Sequence, residues 1–463
     1  MVDTMAGALG RLVRSPAFKF FLIGGLLLLL AIPLLLVYAL IDERVGRQGE
    51  VSADLARSWA GSQIVSGPYL VVPYRQRVSV RRDKADVEEI VEREAVFLPE
   101  TLDVKASTDT RTLSRAIYDV TVYDAIIRLD GRFAAPELAS ASADVVEIRW
   151  RDAVLSLGLA QVSGLKSATA EIAGTSIAFE PSLGLSRATY QSGIHAPLAT
   201  AGALYAADAS SSLGADARAL GPVPFVIELA LRGSSELSFA PVARATTVSL
   251  ESTWPHPSFS GAFLPDDRSI SPIGFKARWS VPSLARSVPS AFVLDDYGMT
   301  ERFGPYVFGA RFYVPVDLYD LASRATKYGL LFLAAAYLAV FLLEVLSGRS
   351  VHPVQYVMVG LAMVFFYVLL LSLAEHIGFG PAYLVSAAAT GGMLSLYVAR
   401  TLASLAKGLV MLGVFLVLYG LLYMILRLED YALLAGAVAG FALLTATMFL
   451  TLRVDWSGRG GRA

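Results

Sequence analysis

The sequence predicts a mixed membrane protein. It has six transmembrane helices, one an N-terminal anchor and five in a C-terminal block, with a large extramembrane domain resembling an antiparallel β-sandwich between them. Three observations predict this. An uncharged apolar run covers residues 20–41, and five more apolar runs crowd residues 328–452. Residues 42–327 are mostly polar and carry stretches of period-two alternation. The whole chain of 463 residues is 55% hydrophobic with a mean hydropathy of +0.55, too apolar for a soluble protein and too polar for a bare helix bundle.

The first run reads as an uncleaved anchor. Residues 20–41 outlast the roughly 7–15 residues of a signal core, and no small-x-small site follows Leu36-Val37-Tyr38-Ala39. Lys and Arg gather on the cytoplasmic side of membrane helices. Arg11, Arg14 and Lys19 precede the run, so residues 1–19 are expected inside and residues 42–327 in the periplasm. Later spans are expected at 328–346, 354–373, 382–398, 409–426 and 432–452. Their inside segments carry Arg349, then Arg400 and Lys407, then Arg453, Arg459 and Arg462 in a cytoplasmic tail at 453–463, whereas the short outside loops carry only Arg427. Arg324 and Lys327 oppose the rule, but long exported domains translocate largely regardless of charge.

In the middle segment, Phe275-Lys276-Ala277-Arg278-Trp279-Ser280-Val281 alternates cleanly, as half-buried strands do. Phe225, Ile227, Leu229 and Leu231 alternate with Val226, Glu228, Ala230 and Arg232. Residues 69–74, 120–129, 147–151, 247–251 and 311–314 are further strand candidates. Ala/Ser-rich stretches at 134–144 and 206–217 read as loops, and a short helix using Val45, Leu55 and Trp59 follows the anchor.

Several chemistries are excluded. A net charge of −1 gives no reason to expect nucleic acid. The absence of cysteine removes disulfides, thiolate catalysis and Cys–zinc sites. Asparagine is absent too, so no N-glycosylation sequon exists. Ser163-Gly164-Leu165-Lys166 matches S-x-x-K, but Ser404-Leu405-Ala406-Lys407 matches as well and the companion motifs are missing. No phosphate loop, nucleophile elbow or zinc helix motif is present. Gly436 and Gly440 form a G-x-x-x-G, which permits close helix packing inside one bundle or between two copies.

Ionisable groups near membrane spans are the candidates for chemistry. Glu375 and His376 open one expected outer loop, 375–381, and Glu429 and Asp430 lie in the other, 427–431. Gathered together they would bind a cation, accept a proton or grip a headgroup; the plainer reading is hydrated loop residues and helix caps. Secondary candidates are Glu344 and His352, at inner ends of spans, and His256, in a rigid turn between Pro255 and Pro257 beside Trp254. His195 lies in an expected loop and gives no signal. The spacings carry no metal signature, and no metal or cofactor is expected.

A resemblance runs through these segments in order. Ser66-Gly67-Pro68-Tyr69-Leu70-Val71-Val72-Pro73-Tyr74 comes first, then Leu98-Pro99-Glu100-Thr101-Leu102. Trp254-Pro255-His256-Pro257-Ser258-Phe259 follows, with Gly261 and Phe263-Leu264-Pro265. The membrane block adds Tyr328-Gly329-Leu330-Leu331-Phe332, His352-Pro353-Val354-Gln355-Tyr356, Ser372-Leu373-Ala374-Glu375-His376-Ile377-Gly378-Phe379 and Leu428-Glu429-Asp430-Tyr431-Ala432-Leu433-Leu434, before the closing Val454-Asp455-Trp456. Together they resemble the bacterial inner-membrane family CreD over nearly the whole chain. Ala374, where a small polar residue is expected, and the enlarged Ala/Ser loops depart from the pattern. The resemblance implies an inner-membrane protein tied to a two-component envelope-stress response, to colicin tolerance and to β-lactam response. It brings no recognised catalytic residue.

The leading expectation is therefore a non-enzymatic envelope-integrity protein that binds membrane lipids or another envelope protein through its periplasmic domain. The rival is an enzyme or transporter that acts on an amphiphile at the outer face with Glu375, His376, Glu429 and Asp430 as acid–base groups. A sensor is disfavoured by the short inner segments.

Overall fold

Helix α1 runs unbroken from Pro16 to Ser58, with Pro33 inside it. It therefore absorbs the short helix expected after the anchor, helped beyond the apolar run by a Glu43–Arg47 pair at i,i+4. Its buried stripe is Ile23, Leu30, Leu34, Val37 and Ile41, the alternating spacing of a helix that packs along one seam. The computed structural model describes residues 16–452 apart from 83–84, 116, 137–141, 143, 186–191, 201–221, 295–297, 315–317, 348–350 and 429–430. Its contacts divide the chain into two units: Glu50–Pro315, and Met1–Gly49 together with Val316–Ala463.

A short helix α2, Gly298–Phe303, belongs to the first of these. The helical unit continues with α3 (Leu318–Lys327), α4 (Gly329–Ser347), α5 (Pro353–Ile377), α6 (Phe379–Thr401), α7 (Leu405–Arg427) and α8 (Ala432–Thr451). Among the described residues, α1, α5, α6 and α7 are long and apolar enough to cross a membrane. The pair α3–α4, bent by 48°, supplies a fifth span if taken as one, and the apolar part of α8, Leu434–Phe449, is shorter. Length and composition thus support four or five spans where the sequence predicted six.

The expected outer loop at 375–381 is almost absent. Helix α5 continues through Ile377, and Gly378 alone joins it to α6. Gly378 sits at φ +78°, a conformation that glycine adopts without strain, and Pro381 falls in the first turn of α6, where its missing N–H costs nothing. Close packing ties α1 into the bundle. A Cβ on Gly360 of α5 would run into Leu30 of α1 and the hydroxyl of Tyr337 on α4. Gly436 packs against Tyr328, whereas nothing lies within 4 Å of a Cβ on Gly440, so the first glycine of the G-x-x-x-G serves packing inside this chain.

The other unit is a two-sheet sandwich. Among the described residues ten strands form one sheet and eight the other. The cleanest alternations become strands Gly274–Pro282, Val223–Ser234 and Ala245–Ser252. The inward residues of both sheets merge into one core that includes Tyr69, Val104, Ile127, Ile227, Val248 and Phe308. Trp279 lies at its centre, fully buried, with its indole N–H donating to the Phe263 carbonyl at 3.2 Å. The sheets are not purely antiparallel, as expected, but mixed. Gln63–Val65 pairs in parallel with Leu237–Phe239, and Thr101–Thr108 with Ala245–Ser252. Alternation specifies which face a strand buries but not the direction of its neighbour. Of the two expected Ala/Ser loops, 206–217 lies outside the described residues, as does most of 134–144.

Candidate functional site

Two ion pairs of the helical unit lie at the two ends of the apolar run within α1. Lys19 and Arg44 are separated by about 37 Å of helix at 1.5 Å per residue, close to the thickness of a bilayer with its headgroups. Each holds a carboxylate from the later helices.

At the Lys19 end the carboxylate is Glu344, 3% exposed near the end of α4. Lys19 Nζ donates to its Oε1. The Val351 N–H donates to the same oxygen at 2.9 Å, and Tyr356 Oη donates to Oε2 at 2.8 Å. Three donors from separate parts of the chain thus converge on one buried carboxylate. Tyr337 Oη reinforces the contact by donating to the Tyr356 carbonyl at 2.8 Å. His352 lies beside this knot but performs a different task. Its Nδ1 accepts from the Val354 N–H at 3.3 Å and its own N–H donates to Gln355 Oε1 at 2.9 Å, so it caps α5.

At the Arg44 end the carboxylate is Glu375, in the last turn of α5. Tyr319 Oη of α3 donates to its Oε1 at 3.0 Å, and Arg44 Nη1 lies 3.5 Å from the same oxygen. His376, next in the chain, is exposed and forms no pair among the described residues. Its place in the final turn suits a group facing the negative end of the helix dipole. Glu429 and Asp430 lie outside the described residues.

In the sheet unit, a cluster forms where the extension of α1 meets the eight-stranded sheet. Trp59, one residue beyond the helix, meets two guanidinium groups over its ring, Arg111 at 4.9 Å and Arg232 at 4.6 Å from the centroid. Asp124 gathers both, at 3.7 and 3.5 Å, and accepts from Lys166 Nζ. Burial pushes the Asp124 carboxyl up, but the bonded Lys166 ammonium, then Arg111 and Arg232, outweigh it and hold the group below its ordinary 3.8. Lys166 is thereby occupied, and the S-x-x-K motif has no catalytic lysine to offer. Nearby, Arg115 donates to Asp54 at 2.8 Å beside an open cleft of about 380 Å³. The double cation–π contact is worth about 0.5–1 kcal/mol per guanidinium at such exposure. It reads as a fastening rather than a site.

The remaining histidines serve the fold. His256 is exposed, and its carbonyl accepts from the Tyr313 N–H at 3.1 Å. Trp254 donates its indole N–H to the Tyr313 carbonyl at 2.9 Å, so the Trp254–His256 turn ties two segments together. His195 is more suggestive, with Ser182 Oγ 3.4 Å from Nδ1 and Glu180 Oε2 3.6 Å from Nε2. Nδ1 lies nearer, at 3.0 Å, to the Ser182 carbonyl. A carbonyl only accepts, which puts a proton on Nδ1 and leaves it no lone pair for the serine hydroxyl. Ser182 Oγ in turn accepts from the Gly184 N–H at 3.2 Å. The trio clips an edge turn and lacks the geometry of a nucleophile. Among the described residues no three His, Asp or Glu side chains gather as a metal-binding group.

Sequence reading singled out Glu344 and Glu375 but missed Lys19, Arg44, Tyr319 and Tyr356, which complete the two knots. One signal was available: Lys19 and Arg44 flank the uncharged run 20–41 closely at either end. A family model described as inner membrane protein CreD matches residues 15–457. A curated relative, inner membrane protein CreD of Escherichia coli (strain K12), is 31% identical over 446 residues, which cover 96% of this chain and 95% of the relative.

Proposed function

Since the chain belongs to the CreD family of inner membrane proteins, we propose that it acts as a non-enzymatic envelope-integrity protein. The sandwich lies in the periplasm and binds a lipid or another envelope component. The helices anchor it in the inner membrane, with both termini in the cytoplasm. The observation that carries this reading is what occupies the ionisable candidates. Glu344 and Glu375 are each taken up by partners from other helices, which suits groups that hold a scaffold together. The sandwich, by contrast, presents bare apolar side chains. Ile270, near the end of a strand, and Ile273, in the hairpin turn that follows it, are 52% and 86% exposed, the kind of surface that partners cover.

The test is complementation in a strain lacking its own copy, with membrane abundance checked by blot. Glu375→Gln, His376→Ala and Asp430→Ala are expected to keep envelope tolerance at normal abundance, whereas Ile270→Glu combined with Ile273→Glu is expected to lose it. Loss in the first three at normal abundance would favour the rival, an enzyme or transporter using Glu375, His376, Glu429 and Asp430. Full-length protein in proteoliposomes that enriches neither a lipid nor an envelope protein would also count against the proposal.

A further inference from the structure

Two basic residues occupy an unexpected depth. Tyr319, at the start of α3, stands level with Glu375 through their hydrogen bond. Gly329, at the start of α4, packs between Leu34 of α1 and Tyr367 of α5. Leu34 is ten residues short of Arg44 and Tyr367 eight short of Glu375, which at 1.5 Å per residue puts Gly329 about 12–15 Å below the Arg44–Glu375 pair. Arg324 and Lys327 lie on the descending segment between these marks. Among the described residues neither side chain forms an ion pair or hydrogen bond; the nearest acid in sequence, Asp320, stands one turn before Arg324 without closing a bridge. At the same end Arg44 and Arg47 have carboxylate partners, and Arg427 donates to Tyr423 Oη at 2.8 Å. Cations at this depth require a counter-charge.

An apolar crevice opens one turn further down. It measures about 330 Å³ and lies between α1, α4 and α8. Leu331, Ala334 and Leu338 line it from α4, Gly24 from α1 and Gly440 from α8. Positions 324, 327, 331, 334 and 338 follow the i, i+3, i+7 rhythm of one helical face, carried across the bend at Tyr328. A cationic mouth over an apolar slot is the complement of one kind of molecule. We propose that Arg324 and Lys327 hold the phosphodiester headgroup of an anionic phospholipid, with one acyl chain in the slot below. Arginine offers a fork of donors that matches phosphate oxygens, and the flexible lysine reaches toward the headgroup layer. The proposal concerns the helical unit alone, so its failure would leave the ligand of the sandwich undecided.

The test uses the full chain, reconstituted in phosphatidylcholine vesicles doped with spin-labelled phosphatidylglycerol or spin-labelled phosphatidylcholine. Each basic residue near a charged lipid surface is worth about fivefold in binding. Wild type is therefore expected to prefer phosphatidylglycerol well above fivefold, Arg324→Gln to lose about fivefold of that preference, and Arg324→Gln with Lys327→Gln to show none. Arg324→Lys keeps the charge and is expected to retain most of the preference. Gly440→Leu adds bulk to the slot at a position where nothing lies within 4 Å of the new Cβ, and is expected to lower occupancy by both labelled lipids while leaving their ratio unchanged. No preference in wild type, or an undiminished preference in the doubly neutral protein, would overturn the proposal. So would displacement of the labelled lipid by millimolar inorganic phosphate, which would mark a site for the free ion. If the doubly neutral protein does not fold, Gly440→Leu and a salt titration of wild type still decide: a preference indifferent to salt refutes a headgroup held by charge.

Discussion

Removing either half of the Lys19–Glu344 pair should destabilise the helical unit, and by unequal amounts. Glu344 is fixed between α4 and the Val351 N–H, with its side chain only 4% exposed, while that of Lys19 is 18% exposed at the end of a long stem. Lys19→Met strands the carboxylate among two neutral donors in a buried place, and breaking a buried pair in this way costs about 3–5 kcal/mol. Glu344→Gln keeps one oxygen to accept from the Val351 N–H, the Tyr356 hydroxyl can turn to accept from the new amide N–H, and the released ammonium can swing outward to water, so about 1–2 kcal/mol is expected. The double replacement carries no stranded charge. Its cost should be close to that of Glu344→Gln alone, leaving a coupling between the sites about as large as the Lys19→Met cost, about 3–5 kcal/mol. The assay is equilibrium unfolding of the full-length protein in detergent micelles, followed by intrinsic fluorescence, for the four members of the cycle. Costs that add to within about 0.5 kcal/mol would refute a direct charge pair. A larger loss for Glu344→Gln than for Lys19→Met would refute the asymmetry drawn from burial.

Three further outcomes are expected. Gly360→Val puts side-chain atoms where Leu30 and Tyr337 already lie, and should cost about 1–3 kcal/mol by overpacking, read as a lowered unfolding midpoint against an unchanged Gly440→Ala control. Trp59→Leu keeps apolar bulk but loses two stacked guanidiniums, so the sandwich should weaken by about 1–2 kcal/mol; limited proteolysis unchanged from wild type would contradict this. Asp124 has a folded pKa below its ordinary 3.8, so its stabilising contribution is fully present above about pH 4 and disappears as pH falls through the folded value. The melting difference between wild type and Asp124→Asn should therefore shrink below pH 4; a difference that widens there would mean the sign is wrong.

How much was legible depended on how far apart the partners lie. Strands such as Gly274–Pro282 announce themselves because one face is buried and the other wet. Thr101–Arg115 went unread because its buried residues, Leu102, Val104, Ala106 and Thr108, fill only its first half and include an alanine and a polar threonine, and beyond Thr108 it turns charged. Ala85–Phe97 is rich in glutamate for a related reason: its first half pairs with Gln76–Arg82 in a hairpin with little core beneath it. The parallel pairings were invisible, since strands such as Thr101–Thr108 and Ala245–Ser252 meet across more than a hundred residues. Glu344 and Glu375 could be found as charges next to apolar runs, but nothing local names their partners. Lys19 and Glu344 stand 325 positions apart, and a helical period gives a face without saying what it meets.

The stripe Ile23, Leu30, Leu34, Val37 and Ile41 has a consequence for biogenesis. The surfaces it packs against, on α4 and α5, leave the ribosome only after the whole sandwich has been made. At about 5–20 residues per second the roughly 290 intervening residues take about 15–60 seconds. Throughout that interval the first helix waits in lipid with its seam uncovered and Lys19 without Glu344. A nascent chain that stalls inside the sandwich would display that uncompensated lysine and uncovered seam to the membrane's insertion and proteolysis machinery, whereas a completed chain conceals both. The anchor is thus made first but gains its packing partners only after the sandwich has been synthesised.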